Sequence, residues 1–177
     1  MEFSYDIKVP KDRVAVLVGV KGSVKRKIEK SLSVSLTIDS KEGDVLLQGD
    51  DSLDLLTAQN IVRAIARGFN PDVALELLNE NNYLEIVDIE QYSGSTKKRF
   101  IMVKSRAIGT GGKSRKTIED LTNTNIVVYG KTVGIIGDYE SVALARRAFE
   151  SLLEGSRHTT VYAWLERQRK GMKARLY

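Results

Sequence analysis

The chain contains no cysteine, and this absence removes several classes of function at once. A disulfide scaffold, a cysteine-based metal site and a cysteine nucleophile are all excluded. The single histidine, His158, is too little for a histidine metal cluster or for a triad built on several histidines. No apolar run approaches the roughly 18 residues of a membrane span, and the N-terminus lacks the apolar core of a signal peptide. We expect a soluble, cytoplasmic protein without metal or cofactor.

Two glycine-containing segments indicate that the chain is an internal repeat. Val18–Ile28 reads VGVKGSVKRKI, and Ile108–Ile118 reads IGTGGKSRKTI. In both, an apolar residue precedes Gly-x-x-Gly and an Ile-Glu pair follows, at a constant offset of 90 residues from Gly19 to Gly109. Such spacing is typical of a duplicated module, and 177 residues suffice for two small domains.

Charge is divided unequally between the two halves. Residues 1–90 hold 11 Lys and Arg against 16 Asp and Glu, a net charge of −5. Residues 91–177 hold 17 against 7, a net charge of +10, which favours a polyanion as the partner of the second half. A solvated surface is the alternative interpretation, but the cations cluster around the second glycine loop and in the tail Arg167–Arg175. There we favour contacts with phosphate.

Apolar periodicity predicts the same order of elements twice: strand, helix, glycine loop, helix, strand, strand, helix. In the first half the elements are predicted at Ser4–Val9, from Pro10 to Val18, at Ser23–Ser31, Val34–Asp39 and Val45–Gln48, and from Asp51 onwards. Residues 70–82 form a bridge with one short helix. In the second half they are predicted at Tyr83–Glu90, Lys97–Ile108, Ser114–Leu121, Asn125–Tyr129, Val133–Ile136 and Ser141–Leu153, with a loop before Lys97.

A Gly-x-x-Gly loop between two helices in this order is typical of the eukaryotic-type KH module, whose loop clamps single-stranded nucleic acid. The predicted fold class is α+β, with two tandem type I KH domains, each a three-stranded sheet packed on three helices. We expect the first domain with its bridge helix at residues 1–78 and the second at residues 79–155. A basic amphipathic extension is expected at residues 156–177.

The candidate RNA-binding site is the glycine loop with the helix that follows it. Glycines let a phosphate approach the main chain, and the free N–H groups and positive dipole end of the helix favour an anion there. We expect apolar residues beside the loop to form the bottom of a groove that holds the bases. Backbone groups of the strand are expected to recognise the edges of these bases. The predicted site residues are Ile108, Gly109, Thr110, Gly111, Gly112, Lys113, Ser114, Arg115, Lys116, Ile118, Ile126 and Val128, with Gly19, Val20, Lys21, Gly22, Lys25 and Arg26 in the first half.

The same segment also has an alternative interpretation as the phosphate-binding loop of a nucleotide hydrolase. Ala107–Ser114, AIGTGGKS, nearly matches the phosphate-binding pattern G-x-x-x-x-G-K-[ST], in which Lys113 would contact phosphates and Ser114 would bind Mg²⁺. Against it, the first glycine is replaced by Ala107, and only 63 residues follow Ser114. The first copy also has Gly22-Ser23 where Gly112-Lys113 stands, so the shared feature is Gly-x-x-Gly. A turn without any ligand is a third interpretation.

Other polar and aromatic residues receive structural interpretations. Glu29 and Glu119 resemble surface acids of a helix, and no carboxylate pair suits acid–base catalysis. His158 is predicted in a loop, and Tyr162 and Trp164 as packing residues of a terminal amphipathic helix. The basic tail is either a solvated end or an extension that grips phosphate, and we favour the second.

Three longer stretches carry a family resemblance. KSRAIGTGGKSRKTIEDLTNTNIVV, VGIIGDYESVALARRAFESLLEGS and VYAWLE resemble the two-KH-domain proteins of small ribosomal subunit assembly, known in eukaryotes as the partner of the Nob endonuclease. The chain looks like an archaeal member. The resemblance implies a non-enzymatic assembly factor that binds small-subunit rRNA near its 3′ end through Gly109–Ser114. It also implies work beside a PIN-domain maturation nuclease and other pre-ribosomal proteins.

The first glycine loop departs from the eukaryotic pattern of that family. Eukaryotic members have lost this loop in their first KH domain, whereas Gly19-Val20-Lys21-Gly22 is intact here. An RNA-binding role and a scaffold role are therefore both open for the first domain. The predicted function is RNA binding without catalysis in ribosome assembly. The alternative is a general single-stranded RNA binder in RNA turnover or translational control.

Overall fold

The internal repeat of the sequence corresponds to two structural units. The computed structural model describes residues 2–176, and the first unit ends at Glu80 where the second begins at Asn81. Each unit holds one three-stranded antiparallel sheet with helices, which gives the predicted α+β class. Among the described residues, no helix combines the length and apolar character that crossing a membrane requires.

The first unit follows the predicted order of elements. Its elements are β1 (Phe3–Lys8), α1 (Lys11–Val18), α2 (Ser23–Leu32), β2 (Val34–Ile38), β3 (Asp44–Gly49), α3 (Ser52–Ala66), α4 (Pro71–Ala74) and a 3₁₀ turn (Leu75–Leu78). Helix α3 begins where the Asp51 side chain accepts hydrogen bonds from the N–H groups of Leu53 and Asp54, a standard N-terminal cap. The buried stripe of α3 then packs on the sheet.

The second unit repeats this order and adds one helix after its first strand and another at its end. Its elements are β4 (Asn82–Asp88), α5 (Glu90–Ser93), α6 (Lys97–Ile108), α7 (Lys113–Thr122), β5 (Asn125–Tyr129), β6 (Thr132–Asp138), α8 (Tyr139–Leu153) and α9 (His158–Arg175). The Asp138 side chain caps α8 by accepting from Ser141 N at 3.0 Å. Asp138 thus occupies the place that Asp51 has in the first unit.

The strand order positions an edge strand beside the helix that follows each glycine loop. The orders are β1-β3-β2 and β4-β6-β5, with every neighbouring pair antiparallel. Strands β2 and β5 are therefore edge strands, and they contact α2 and α7 respectively. In register, Leu36 faces Leu47 in the first sheet and Ile126 faces Ile135 in the second.

Helix α9 belongs to the core of the second unit. Val161 and Leu165 are buried in one cluster with Ile118, Ile135 and Phe149. Tyr162 and Trp164 pack against that cluster, as the sequence predicted. The amphipathic extension predicted at residues 156–177 corresponds to this helix, and its apolar stripe completes the core of the second unit. The second unit therefore includes α9.

Two local predictions are wrong. The segment between Glu90 and Lys97 was predicted as a loop, but α5 begins there, with the Asp88 carboxylate accepting from Glu90 N at 2.9 Å. His158 was predicted in a loop and is the first residue of α9. Its Nε2 lies 2.9 Å from the carbonyl oxygen of Arg106, which fixes the start of α9 against α6.

Candidate nucleic-acid interface

The second glycine loop turns sharply between α6 and α7 and depends on glycine in two different ways. Gly109, Gly111 and Gly112 have φ of 76°, 61° and 77°, a region that favours glycine. A Cβ on Gly109 would lie 2.6 Å from Ser114 N, so no larger residue fits there. Nothing lies within 4 Å of a Cβ added to Gly111 or Gly112, so these two positions are open to an approaching ligand.

The first glycine loop has the same geometry, but one of its left-handed positions is not occupied by glycine. Gly19 and Gly22 have φ of 76° and 74°, and a Cβ on Gly19 would lie 2.8 Å from Val24 N. The position equivalent to Gly111 is Lys21, which adopts the left-handed region at φ 53°. Because left-handed backbone costs a residue with a side chain about 1–2 kcal/mol, the surrounding structure enforces this turn.

Neither helix after a glycine loop has a capped N-terminus. The N-cap residues Gly112 of α7 and Gly22 of α2 form no side-chain cap, and neither helix has an acid in its first turn. By contrast, α3 and α8 are capped by aspartates. The N–H groups of Gly112 and Gly22 donate to loop carbonyl oxygens, so only the N–H groups of the following first turn lack a side-chain cap. Together with the positive dipole end, they make a helix start favourable for an anion. The two loop helices thus keep this end available.

The cations around the second loop play two roles. Lys113 and Lys116 are exposed, as are Arg26 and Lys21 in the first unit. Arg115 is half-buried, and its Nη1 donates to Glu119 Oε2 and to the carbonyl oxygen of Ile126, both at 3.2 Å. Arg115 therefore joins α7 to β5 in addition to contributing positive charge.

Glu119 and Glu29, which were predicted to be surface acids, form hydrogen bonds to the edge strands. Glu119 Oε2 accepts from Ile126 N at 2.8 Å, and Glu29 Oε1 accepts from Leu36 N at 2.9 Å. Each carboxylate satisfies a backbone N–H on an edge strand, which would otherwise lack a partner within the sheet. The same tie therefore holds each loop helix against its edge strand, and the prediction of a solvated acid was wrong.

Strand β5 presents further backbone groups along this edge. In an antiparallel pair, alternate residues point their N–H and C=O groups away from the partner strand. Ile126 binds Glu119 and Arg115 on the outer side, so Val128, two residues on, points its groups the same way. These backbone groups are suited to hydrogen-bond the edge of a base.

The predicted apolar floor of the groove is partly wrong. Ile118 and Ile126 have 0% and 2% of their surface exposed, and their side chains belong to the core. Apolar side chains at these positions face the sheet and α8 because that burial stabilises the unit. Ile108 and Val128 are half-buried and remain available beside the loop.

The turn after β5 adds a cation that the sequence analysis did not single out. Lys131 Nζ lies 2.7 Å from Glu90 Oε1, and this hydrogen bond raises the pKa of the Lys131 ammonium. The carbonyl oxygen of Lys131 accepts from Ile89 N at 2.8 Å. The turn between β5 and β6 is thus held at both its backbone and its side chain, and Lys131 is positively charged at neutral pH.

The geometry does not fit a nucleotide-hydrolase loop. A P-loop follows a β-strand, whereas the loop here follows α6, and Ala107 is a fully buried residue of that helix. Ser114, the expected Mg²⁺ ligand, is 1% exposed. The described residues also contain no group of three acidic or metal-binding side chains placed to hold a metal.

Sequence reasoning missed the carboxylate ties and the residues that α9 brings to the loop. Glu29 and Glu119 recur at the repeat offset, seven residues before the strand residues they bind, and that recurrence was a usable signal. Arg106, His158 and Tyr162 line a cavity beside the loop together with Ser114. No local pattern indicates this cavity, because α6 and α9 are separated by about half the unit.

Comparison with known proteins agrees with this geometry. Residues 83–170 match the family model for the second KH domain of PNO1, described as a eukaryotic-type KH domain (KH-domain type I). The chain is 48% identical over 171 residues to a KH domain-containing protein of Methanocaldococcus jannaschii, covering 94% of this chain and 74% of that protein. It is 32% identical to the RNA-binding protein pno-1 of Caenorhabditis briggsae, covering 88% of this chain but only 59% of that one.

Solved structures give the same picture. Dim2p from Pyrococcus horikoshii is 41% identical with a TM-score of 0.85, covering 94% of this chain and 99% of that one. A complex of a/eIF2alpha, aDim2p and rRNA from the same organism contains a chain that is 41% identical with a TM-score of 0.86, covering 96% of this chain and 95% of that one. These relatives are named for KH domains or RNA binding and not for catalysis, which agrees with the predicted absence of enzymatic activity.

Proposed function

We propose, from the premise that this chain belongs to the PNO1-type family of KH-domain proteins, that it binds single-stranded RNA without catalysis as a factor of small-subunit ribosome assembly. One observation carries the proposal. The uncapped N-terminus of α7 follows a loop in which Gly111 and Gly112 leave open space for a ligand. A phosphate there would meet the positive end of the helix dipole, a first turn that no side chain caps, and Lys113.

The strand of RNA would continue from the loop across the space between α7 and β5. Its bases would lie over Ile108 and Val128 and meet the outward backbone groups of Val128. Arg115 and Glu119 would limit the groove, because they already occupy the backbone of Ile126. This arrangement supports recognition of unpaired bases, since a base within a duplex cannot offer its edge to a strand.

The first unit is proposed to be a KH domain as well. It has the same order of elements, the same strand order and the same loop geometry with an uncapped helix. Lys21, Lys25 and Arg26 give its loop local positive charge. We assign it a weaker contribution to RNA affinity, because acidic residues outnumber basic ones in this unit.

The target is proposed to be small-subunit rRNA near its 3′ end. A similar chain was solved in a complex with rRNA and a/eIF2alpha, which supports both an rRNA target and a protein partner in the pre-ribosome. A PIN-domain maturation nuclease is the second proposed partner. The alternative, a general binder of single-stranded RNA in turnover or translational control, uses the same loop.

Crosslinking the protein to RNA in its own cells and sequencing the bound fragments separates the two candidates. The assembly role predicts that fragments concentrate at the 3′ end of small-subunit rRNA. Fragments spread over many messenger RNAs, without enrichment at that end, would favour the general binder. A Gly111→Asp, Gly112→Asp variant is the background control, because it places two carboxylates where phosphates are proposed to bind.

A further inference from the structure

A cavity of about 560 Å³ lies beside the second glycine loop, between α6, the start of α7 and the first turns of α9. Met102, Ser105 and Arg106 of α6 form one wall, and His158, Thr159 and Tyr162 of α9 form the opposite wall. Gly109, Thr110, Lys113 and Ser114 close the end next to the loop. The volume falls within the range of about 300–1,000 Å³ that is usual for small-ligand sites.

Two buried polar atoms at this cavity have no hydrogen-bond partner among the described residues. They are Ser114 Oγ, on a residue that is 1% exposed, and Arg106 Nε. The other end of the Arg106 guanidinium is held, since its Nη2 donates to the carbonyl oxygen of Ser156. A buried polar group without a partner costs about 1–3 kcal/mol. Each of these atoms has less than 1 Å² of accessible surface, so a ligand recovers this cost only when the Arg106 side chain and the Ser114 hydroxyl turn towards the cavity.

The cavity lies on the opposite side of α7 from the groove along β5. Lys113 and Ser114 face the cavity, whereas Arg115 and Glu119 bind Ile126 on β5. At 3.6 residues per turn, these two directions on the helix are about 170° apart. The two spaces share only the glycine loop and are otherwise separate.

The first unit has no counterpart of the two unpartnered atoms. At the repeat offset of 90 residues, Val16 stands where Arg106 is and Val24 stands where Ser114 is. Both replacements are apolar, so the polar pair belongs to the second unit alone. The pair is therefore not needed to form a glycine loop of this geometry.

We infer that this cavity holds one nucleobase of the RNA strand whose phosphate binds the glycine loop. Arg106 Nε can only donate, and Ser114 Oγ can donate or accept, so together they pair with the acceptor atoms on a base edge. The apolar walls of Met102 and Tyr162 suit a flat ring, and aromatic stacking of RNA bases is common outside duplexes. The inference rests on the proposed RNA binding and adds a second base site to it.

A direct test uses the methyl group of Met102, a residue that lines the cavity and is 57% exposed. The full chain, labelled with ¹³C at its three methionine methyl groups, is mixed with a single-stranded RNA oligonucleotide of mixed base composition. Isotope-filtered NMR should then give nuclear Overhauser effects between the Met102 methyl and base protons. The inference is contradicted if the Met102 methyl contacts only sugar protons and keeps these contacts when the contacting nucleotide is replaced by an abasic one.

Three variants measure the contribution of the cavity to RNA affinity. Ser114→Val removes the hydroxyl and installs the side chain that the first unit carries, so the fold should be kept. We expect RNA affinity to fall about threefold to tenfold, the effect of one or two hydrogen bonds. Met102→Trp should fill the mouth and lower affinity, whereas Ile101→Trp adds the same bulk to an exposed neighbour on α6 that does not line the cavity, and should not.

The outcomes separate this inference from the proposed function. If the wild type binds RNA and the Gly111→Asp, Gly112→Asp variant does not, while Ser114→Val and Met102→Trp bind as tightly as wild type, the cavity site is overturned and RNA binding stands. If the wild type binds no RNA, both are overturned. Reduced affinity for Ser114→Val and Met102→Trp, with Ile101→Trp unchanged and contacts from Met102 to base protons, supports the base site.

Discussion

Glu119 ties the helix behind the second glycine loop to the edge strand that would read bases. Its Oε2 accepts from Ile126 N at 2.8 Å and from Arg115 Nη1 at 3.2 Å. The carboxylate is about a quarter exposed, so the ion pair itself is worth little in water. The hydrogen bond to the strand N–H matters more, because a half-buried donor without a partner is costly.

Replacing Glu119 by alanine should lower the free energy of unfolding by about 1–2 kcal/mol. Glu119→Gln keeps an acceptor for Ile126 N and should lose less than Glu119→Ala. Asp120→Ala, at the exposed neighbouring position, should change stability little. Urea denaturation of the full chain, followed by far-UV circular dichroism, measures all three. Equal losses for Glu119→Ala and Asp120→Ala would show that the tie does not hold α7 on β5.

At this level, residue type and spacing predicted the glycines and cations of the loop but not their partners. Ile118 and Ile126 were expected to face a groove and are core residues, because alternation gives two faces without saying which one is buried. Glu119 reads as a surface acid in a single sequence, since its partner is a backbone N–H beyond the next turn. Contacts of this kind depend on the packing of α7 against β5.

The two halves of helix α9 differ: the first half is apolar on one side and packs in the core, and the second half is basic. Its first half places Val161 and Leu165 in the core. Its second half carries five exposed cations, and none of them forms an ion pair with another described residue: Arg167, Arg169, Lys170, Lys173 and Arg175. Arg169, Lys170 and Lys173 lie together in a depression that is also lined by Leu121 of α7 and by one acid, Glu166. We expect these three to contact phosphates of an RNA strand that passes along α7.

Replacing Arg169, Lys170 and Lys173 by glutamine should make RNA binding less dependent on salt. Each phosphate contact on a single strand adds about −0.7 to the slope of log affinity against log salt, so two or three contacts predict a flattening of about 1.4–2.1. Titrations at several salt concentrations give the slope.

A matched control removes three other cations of the second unit. Lys97, Lys98 and Arg99 are exposed at the start of α6, whose twelve residues place them about 18 Å from the glycine loop. Their replacement by glutamine should leave the slope close to that of the wild type. If both triple variants flatten it equally, the cations of α9 act through net charge alone and not through phosphate contacts.

The internal repeat predicted the helix Lys97–Ile108 and apolar alternation predicted the strand Asn125–Tyr129, and both elements have the predicted bounds. Periodicity also predicted most of the other long elements. It failed for α5, because a helix of four residues is too short to show a 3.6-residue period. It also set α9 apart from the second domain, since amphipathic character alone does not say which surface the apolar stripe meets. The start of α9 depends on the contact of His158 with α6, which is distant in sequence.

The charge contrast between the two units is smaller than the sequence halves suggested. Divided at Glu80, residues 1–80 hold 11 basic and 13 acidic residues, a net charge of −2, and residues 81–177 hold 17 and 10, a net charge of +7. The difference arises because the acids Glu85, Asp88 and Glu90 belong to the second unit. The sign of each unit is unchanged, so the second unit still favours a polyanion.

The central claim is that RNA binds through the glycine loop of the second unit. Gly111→Asp, Gly112→Asp and Gly111→Asn, Gly112→Asn double variants have nearly the same shape, and both residue types tolerate the left-handed backbone. A Cβ meets nothing within 4 Å at either position, so both variants should fold. They differ only in two negative charges at the proposed phosphate site. The change at the equivalent positions of the first unit is Lys21→Asp, Gly22→Asp, which lowers the charge by three and not by two because it also removes a lysine.

Titration of these full-chain variants with one single-stranded RNA tests the claim most directly. The aspartate variant of the second loop should bind at least tenfold more weakly than wild type, a loss of about 1.4 kcal/mol or more. The asparagine variant should stay close to wild type, and the aspartate variant of the first loop should lose less than that of the second. Wild-type affinity in a folded Gly111→Asp, Gly112→Asp protein would contradict the account.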